Sequence, residues 1–350
     1  MTLLFFQNCV SPHQMPYIKE LVHMQGVDKV ILITPRIVYD ERAEMGWENN
    51  DLLKDKGLEF HLTPSIEDVK CLLSVDDSLV CLFSGIRADD DVFVWFRLSL
   101  TYPVKRYIVT EAPFTYHKPL WMHYVRFYLQ DYRFVKDIKG VFAIGEQAVD
   151  YYKSISNRWN VFPFQYVTEK IKRTLPVPTG NLQLLFVGSL SPRKNVGMVI
   201  EAIKGIRNVE FTIVGDGEQR QQLEQEAGKI DTVCRFMGTK PMGEISTIMQ
   251  RHDVLILPSL HDGWGAVVNE AIGLGLYVIV SDRCGAKALI KNSDIGLVFK
   301  SNNVISLQNS INQCKERKNE LRKKLLSRIE GADVISGKKV AAYFMNCLNV

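Results

Sequence analysis

The chain has 350 residues, room for two domains at roughly 150 residues each. Hydrophobic residues make up 46% and charged residues 23%, enough to build packed cores. That excludes a disordered chain, a collagen-like fibre and a small disulfide scaffold. The 43 basic and 39 acidic residues leave a net charge of +4. So mild an excess does not call for nucleic acid, though it suits an anionic membrane or substrate.

In chain order, the first half reads as strands at Leu3–Gln7, Lys29–Thr34, Leu79–Phe83, Arg106–Thr110 and Val141–Ile144. The second half adds Leu184–Val187, Glu210–Val214, Val233–Met237, Val254–Leu257, Tyr277–Val280 and Gly296–Phe299. Most are continuous apolar runs, as strands covered on both faces require. Amphipathic segments lie between them: Val196, Val199, Ile200 and Ile203 recur at helical spacing, as do Ile245, Ile248 and Met249. Such alternation predicts α/β domains with parallel sheets. The stretch Thr174-Leu-Pro-Val-Pro-Thr-Gly-Asn has no periodicity and reads as a linker. The expected organisation is a domain at 1–165, a linker at 166–180, a domain at 181–330 and a C-terminal helix at 331–350 that packs back on the first domain. The basic segment Cys314–Arg328 reads as a solvated helix face.

The seven cysteines are dispersed, with no C-x-x-C, so they read as reduced thiols of a cytoplasmic protein with no zinc site. The N-terminus lacks a basic n-region, and its apolar run is too short for a signal peptide. No stretch approaches the ~20 apolar residues of a membrane span.

Three strand-to-helix junctions carry chemistry. In Phe186-Val-Gly-Ser-Leu-Ser-Pro-Arg-Lys-Asn-Val196 a strand ends, Gly188 turns the chain, and a helix is predicted to open near Asn195. Arg193 and Lys194 then add positive charge where backbone N–H groups already favour an anion such as a diphosphate. In Val214-Gly-Asp-Gly-Glu218 the dinucleotide glycine fingerprint fails, because Arg220 stands where the third glycine belongs. The most specific run is Leu257-Pro-Ser-Leu-His-Asp-Gly-Trp-Gly-Ala-Val-Val-Asn-Glu-Ala271. Its Asp262 lies in a glycine-punctuated loop, and Glu270 lies about one turn inside the next helix. Both can face a ligand at the carboxyl end of the sheet.

With these motifs in this order, plus Arg235-Phe-Met-Gly238, the second half resembles the donor domain of a GT-B retaining glycosyltransferase. The family is GT4, the group 1 type, and the Asp-Gly-Trp-Gly form resembles its bacterial surface-polysaccharide branch. Asp262 stands where the family usually has Glu, and Ser189 where many members carry arginine. The resemblance implies two Rossmann-like parallel-sheet domains facing across a cleft. It implies transfer of a sugar, with retention, from a nucleotide-sugar to a glycan or lipid-linked glycan. Glu270 would hold the ribose, Asp262 the donor sugar, and Arg193 with Lys194 the diphosphate. Gly188, Gly215, Gly263, Trp264, Gly265 and Ala266 would line the donor, with Met237, Gly238 and Thr239 at the base edge. No metal and no cofactor are implied; a UDP- or GDP-sugar is a substrate. Alternatives within the fold are a non-catalytic glycan-binding or partner subunit, a sugar-nucleotide epimerase or a phosphorylase; a dinucleotide oxidoreductase is disfavoured by the failed fingerprint.

The first half offers weaker signals. His13 follows the first strand and Glu111 follows the strand Arg106–Thr110, so both are candidates on the acceptor side. His117 and His123 read as surface residues. The segment Phe114–Lys139 mixes aromatics with cations. It fits either a helix half buried in the core or peripheral contact with an anionic membrane, at the inner face of a plasma membrane.

Overall fold

In the computed structural model, the structure describes residues 1–40, 43, 57–75, 78–113, 115–116, 118–169, 171–178 and 180–348. Phe114 and His117 lie outside the described residues. Those described fall into two compact units. One holds Met1–Ala43, Glu48–Glu169 and Ile335–Val350, and the other holds Lys170–Val334.

The first unit is built on seven parallel strands: β1 (Thr2–Phe6), β2 (Lys29–Thr34), β3 (Leu58–Leu62), β4 (Val80–Phe83), β5 (Lys105–Glu111), β6 (Gly140–Ile144) and β7 (Asn160–Phe164). Their order is β3-β2-β1-β4-β5-β6-β7, with Leu4 of β1 opposite both Ile31 of β2 and Cys81 of β4. The sequence reading lacks the two edge strands. β3 is only half buried and β7 contains Pro163, so neither shows the apolar run that marks the central strands. β5 also runs one residue further than expected, so Glu111 is its last residue rather than the first of the following loop.

The last helix, Gly337–Leu348, belongs to this unit and packs on the helix Met15–Leu21. Phe344 is its anchor. Its ring stacks on Phe142 at 4.6 Å and lies 5.8–6.2 Å from Phe5, Tyr17 and Phe164. Each such aromatic pair adds about 0.5–1.5 kcal/mol beyond the area it buries.

The second unit has six parallel strands: β8 (Leu182–Val187), β9 (Val209–Val214), β10 (Val233–Phe236), β11 (Val254–Leu257), β12 (Tyr277–Ser281) and β13 (Gly296–Phe299). Their order is β10-β9-β8-β11-β12-β13, with Leu185 of β8 opposite Thr212 of β9 and Leu255 of β11. In each sheet the strand order reverses beside the first strand: between β1 and β4, and between β8 and β11. Ligands of open α/β sheets bind at the carboxyl ends of the strands at such a point.

One expectation for this unit changes. The stretch read as a linker is tied to this unit at Arg173–Leu175: Gln250 Oε1 accepts from the backbone N–H of Thr174 and Leu175 at 2.6 and 2.9 Å, and Arg173 donates to the Leu274 carbonyl. The basic segment Cys314–Arg328 is a brace rather than a solvated face. Arg322 forms a two-pronged bond with the buried Asp253, 2.8 Å to each oxygen, while the buried Arg328 donates to the carbonyls of Gly275 and Leu321. Charge density alone did not show that these guanidinium groups have buried acceptors.

Candidate functional site

The loops leaving β8 and β11 meet at the switch point of the second sheet. Arg193 and Lys194 do not open a helix, as the sequence predicts. They sit on a short 3-10 turn, Pro192–Lys194, which ends where Asn195 takes a left-handed conformation (φ 55°); the helix begins at Gly197. Pro192 presets the turn and Asn195 tolerates the left-handed region, so the two cations are fixed before the helix starts. Lys194 Nζ lies 2.5 Å from Asp262 Oδ2, and Arg193 Nη1 lies 3.8 Å from the same oxygen. Arg193 also donates to the His261 carbonyl at 2.9 Å. Two cations thus share one partly buried carboxylate, and the cluster keeps net positive charge. Burial pushes the His261 imidazole below its usual range, against the pull of Asp262, so it adds no charge near neutral pH.

The loop carrying Asp262 is held from behind. Asp262 N–H donates to the Arg283 carbonyl, and the carbonyls of Asp262 and Trp264 accept from Gly285 and Ala286 at 3.1 and 2.7 Å. Trp264 is expected to touch a ligand, but it is only 2% exposed, and its indole N–H donates to the buried Asn269 at 2.6 Å. The structure therefore makes it the post on which the loop stands. Gly265 has φ +94°, and a side chain there would meet Leu257 Cδ2 at 2.5 Å. Only glycine lets the chain turn this tightly from Trp264 into the helix Val267–Gly273.

Glu270 lies in the first turn of that helix. Its residue keeps some surface, yet burial of the carboxyl pushes it up to about 7. A carboxylate in such surroundings gains strongly from hydroxyl donors, which stabilise its charged form. On the other side of β8, the backbone of Gly215 crosses that of Gly188. A Cβ on Gly215 (φ +130°) would lie 1.9 Å from the Gly188 carbonyl oxygen, so this glycine serves loop packing. Gly215 N–H donates to the Gly238 carbonyl, which brings the exposed Met237 and Thr239 turn beside the end of β9. Among the described residues, no three His, Cys, Asp or Glu side chains gather where they could hold a metal ion.

In the first unit, His13 is buried in the loop after β1, 6.1 Å from the Tyr166 ring, and its carbonyl accepts from Val167 N–H. Glu111 ends β5, with β4 standing between that strand and β1. The switch point itself is occupied by residues the sequence reading passes over. Asn8 N–H donates to Ser84 Oγ at 3.0 Å. Arg36 donates to Asp89 at 2.5 Å and lies 4.7 Å over the Tyr39 ring. Asp89 also caps the helix Asp90–Ser99, accepting from Asp91 and Val92. The bond to Asp89 raises the Arg36 guanidinium further above its usual value, so it is permanently charged. The run Asp89-Asp-Asp91 before an apolar helix is the signal from which this cap is readable.

Residues 167–330 match the family model for glycosyl transferases group 1. This segment is a glycosyl transferases group 1 domain. It contains Arg193, Lys194, Asp262 and Glu270. Relatives align over the same scale. The amylovoran biosynthesis glycosyltransferase AmsK of Erwinia amylovora is 30% identical over 127 residues, 33% of this chain and 31% of that protein. The UDP-Gal:alpha-D-GlcNAc-diphosphoundecaprenol alpha-1,3-galactosyltransferase of Escherichia coli is 30% identical over 149 residues, 40% of this chain and 38% of that protein. The alignments therefore span about a third of these relatives' lengths, 31% and 38%. Alr3699/HepE of Anabaena, solved in complex with UDP, superposes over all of both chains with a TM-score of 0.74 at 14% identity. The same protein with UDP-glucose gives 0.68. Both sheets are thus those of the GT-B fold.

Proposed function

We propose that this protein is a retaining glycosyltransferase that moves a sugar from a UDP-sugar to a glycan or lipid-linked glycan acceptor in surface-polysaccharide synthesis. The observation that carries the reading is the meeting of Arg193, Lys194 and Asp262 at the β8/β11 switch point, with the proton-poised Glu270 in the first turn of the helix that follows the Asp262 loop. This cluster has the charge to receive a diphosphate, an acceptor for sugar hydroxyls and a carboxyl for a ribose diol.

When a donor arrives, its diphosphate displaces part of the Lys194–Asp262 contact. Lys194 and Arg193 turn to the phosphate oxygens, and Asp262 is released to accept from hydroxyls of the sugar. The bond between the sugar's anomeric carbon and the β-phosphate oxygen then breaks. The acceptor hydroxyl forms the new bond on the same face, and its proton passes to the departing phosphate. The protein's share is neutralisation of the leaving charge and positioning. UDP is chosen because HepE was solved with UDP and UDP-glucose, and because the Escherichia coli relative is named for UDP-Gal. The acceptor class follows that relative's diphosphoundecaprenol and the amylovoran biosynthesis for which AmsK is named.

Calorimetry with UDP-, GDP-, ADP- and CDP-sugars tests the donor; UDP-sugars should bind and Lys194→Ala should weaken them. Absence of binding by every nucleotide-sugar would sink the reading. The anomeric configuration of the product, read by NMR, tests retention.

A further inference from the structure

The helix Leu120–Gln130 has two faces that the sequence pattern leaves entangled. One is core. Phe127 is buried edge-on against Trp159 at 5.6 Å, and the Tyr124 hydroxyl meets Ser154 at 2.8 Å. The other face carries Trp121, Val125, Tyr128 and Leu129, and Tyr132 extends it beyond the helix end. Their spacing of four, seven, eight and eleven residues from Trp121 puts them on one side. All five are exposed, Trp121 by 63% and Leu129 by 80%. Among the described residues, 7 of the 19 large hydrophobic side chains left exposed fall within the 13 residues from Leu120 to Tyr132. A patch this concentrated marks an interaction surface.

We infer that this face is a docking surface for an anionic lipid bilayer. Charge selects that occupant. Lys118, Arg126, Arg133, Lys136 and Lys139 are all exposed along the same segment. The two acids between them are Asp131, already held by Arg87 at 2.5 Å, and Asp137. A second copy meeting the same face would bring the same cations against them, which disfavours self-pairing. A bilayer supplies the complement at both levels: acyl chains for Trp121, Val125 and Leu129, and anionic headgroups for the cations. Trp and Tyr are the side chains that settle at such an interface. The helix lies along the surface with Phe127 and Tyr124 turned into the domain. Among the described residues, no helix is long and apolar enough to cross a membrane, so this contact is peripheral.

The inference stands on this surface alone and does not depend on the donor chemistry. The full chain is sedimented with phosphatidylglycerol vesicles and with phosphatidylcholine vesicles, at low and high salt. Binding is expected to phosphatidylglycerol alone and to weaken with salt. Replacing Arg133 and Lys136 by Gln should lower partition about thirtyfold, roughly fivefold per cation. Trp121→Glu with Leu129→Glu should abolish it while leaving UDP affinity intact. If the double Glu variant misfolds, brominated phosphatidylglycerol supplies the readout: it should quench wild-type fluorescence and lose most of that quenching in Trp121→Phe. Three results would overturn the inference: no pelleting at low salt, equal pelleting of wild type and folded variant, or a dimer in analytical ultracentrifugation that the Glu variant dissolves. Loss of UDP binding by the wild type would instead count against the proposed donor and leave this surface untouched.

Discussion

The two units share a strand order and differ in how their carboxyl edges are built. In the second unit the edge comes from contiguous loops: Arg193 and Lys194 on one, and Asp262 with Glu270 on and just after another. In the first unit the edge comes from single residues on separate loops: Asn8 after β1, Arg36 after β2, Ser84 and Asp89 after β4. Here one cation, Arg36, is shared by two acids, Asp89 at 2.5 Å and Asp91 at 3.9 Å, whereas two cations share Asp262 in the second unit. The units are also closed differently. An aromatic plug at Phe344 seals the first, and the ion pair of Arg322 with buried Asp253 pins the second. The same topology thus supports one edge where cations outnumber the acid they share and one where acids outnumber the cation.

The largest effects sharpen the closing contrast. Phe344→Ala should destabilise the first unit by about 3–5 kcal/mol, through lost burial and an unfilled cavity. Arg322→Ala should cost the second unit about 3–5 kcal/mol, by stranding the Asp253 charge. Denaturant melts distinguish them. Arg322→Lys should recover part of the loss, because it keeps a cation beside Asp253. An Arg322→Lys variant as unstable as Arg322→Ala would erase the contrast.

Turnover comes next. Lys194→Ala should lower kcat about 10²–10³-fold, because the contact acts on charge that develops as the diphosphate leaves. Arg36→Ala should act mainly on the acceptor KM. If Arg36→Ala lowers kcat as severely as Lys194→Ala, the acid-flanked edge is not passive and the comparison fails.

A smaller effect is expected on nucleotide affinity. Glu270→Ala should cost about 1.5–3 kcal/mol of UDP binding by calorimetry, the loss of hydrogen bonds to a charged group. Affinity unchanged within error would remove Glu270 from the ribose.

The smallest effect is on pH. In the free protein the Glu270 carboxyl stands at about 7, above its ordinary value of 4.5. Ribose hydroxyls favour the ionised form, so binding should expel a proton below that value. UDP-glucose affinity should rise several-fold from pH 6 to pH 8 and then level off, with Glu270→Gln flat across the range. The stability contribution has the opposite sign. Between about 4.5 and 7 the folded chain holds the Glu270 proton more tightly than the unfolded chain. Stability from this group therefore falls as pH rises through that window. A Glu270→Gln variant with the wild-type pH profile would break this assignment.

The sequence alone determined the central strands and the donor-edge motifs. Buried parallel strands must be apolar runs, and loops that act as one unit keep their residues at short, visible spacing. From these the GT-B fold was legible, as were the positions of Lys194, Asp262 and Glu270 on their loops and helix. Only the tertiary structure decided what lies at the margins. β3 and β7 are half exposed or proline-bearing, so local pattern does not mark them. Trp264 reads as a ligand contact until its 2.6 Å bond to buried Asn269 makes it a support. Arg322 and Arg328 read as solvated until Asp253 and the Gly275 carbonyl are brought to them from elements far away in the chain. In each case the deciding partner is distant in sequence, and only folding brings it within hydrogen-bonding range.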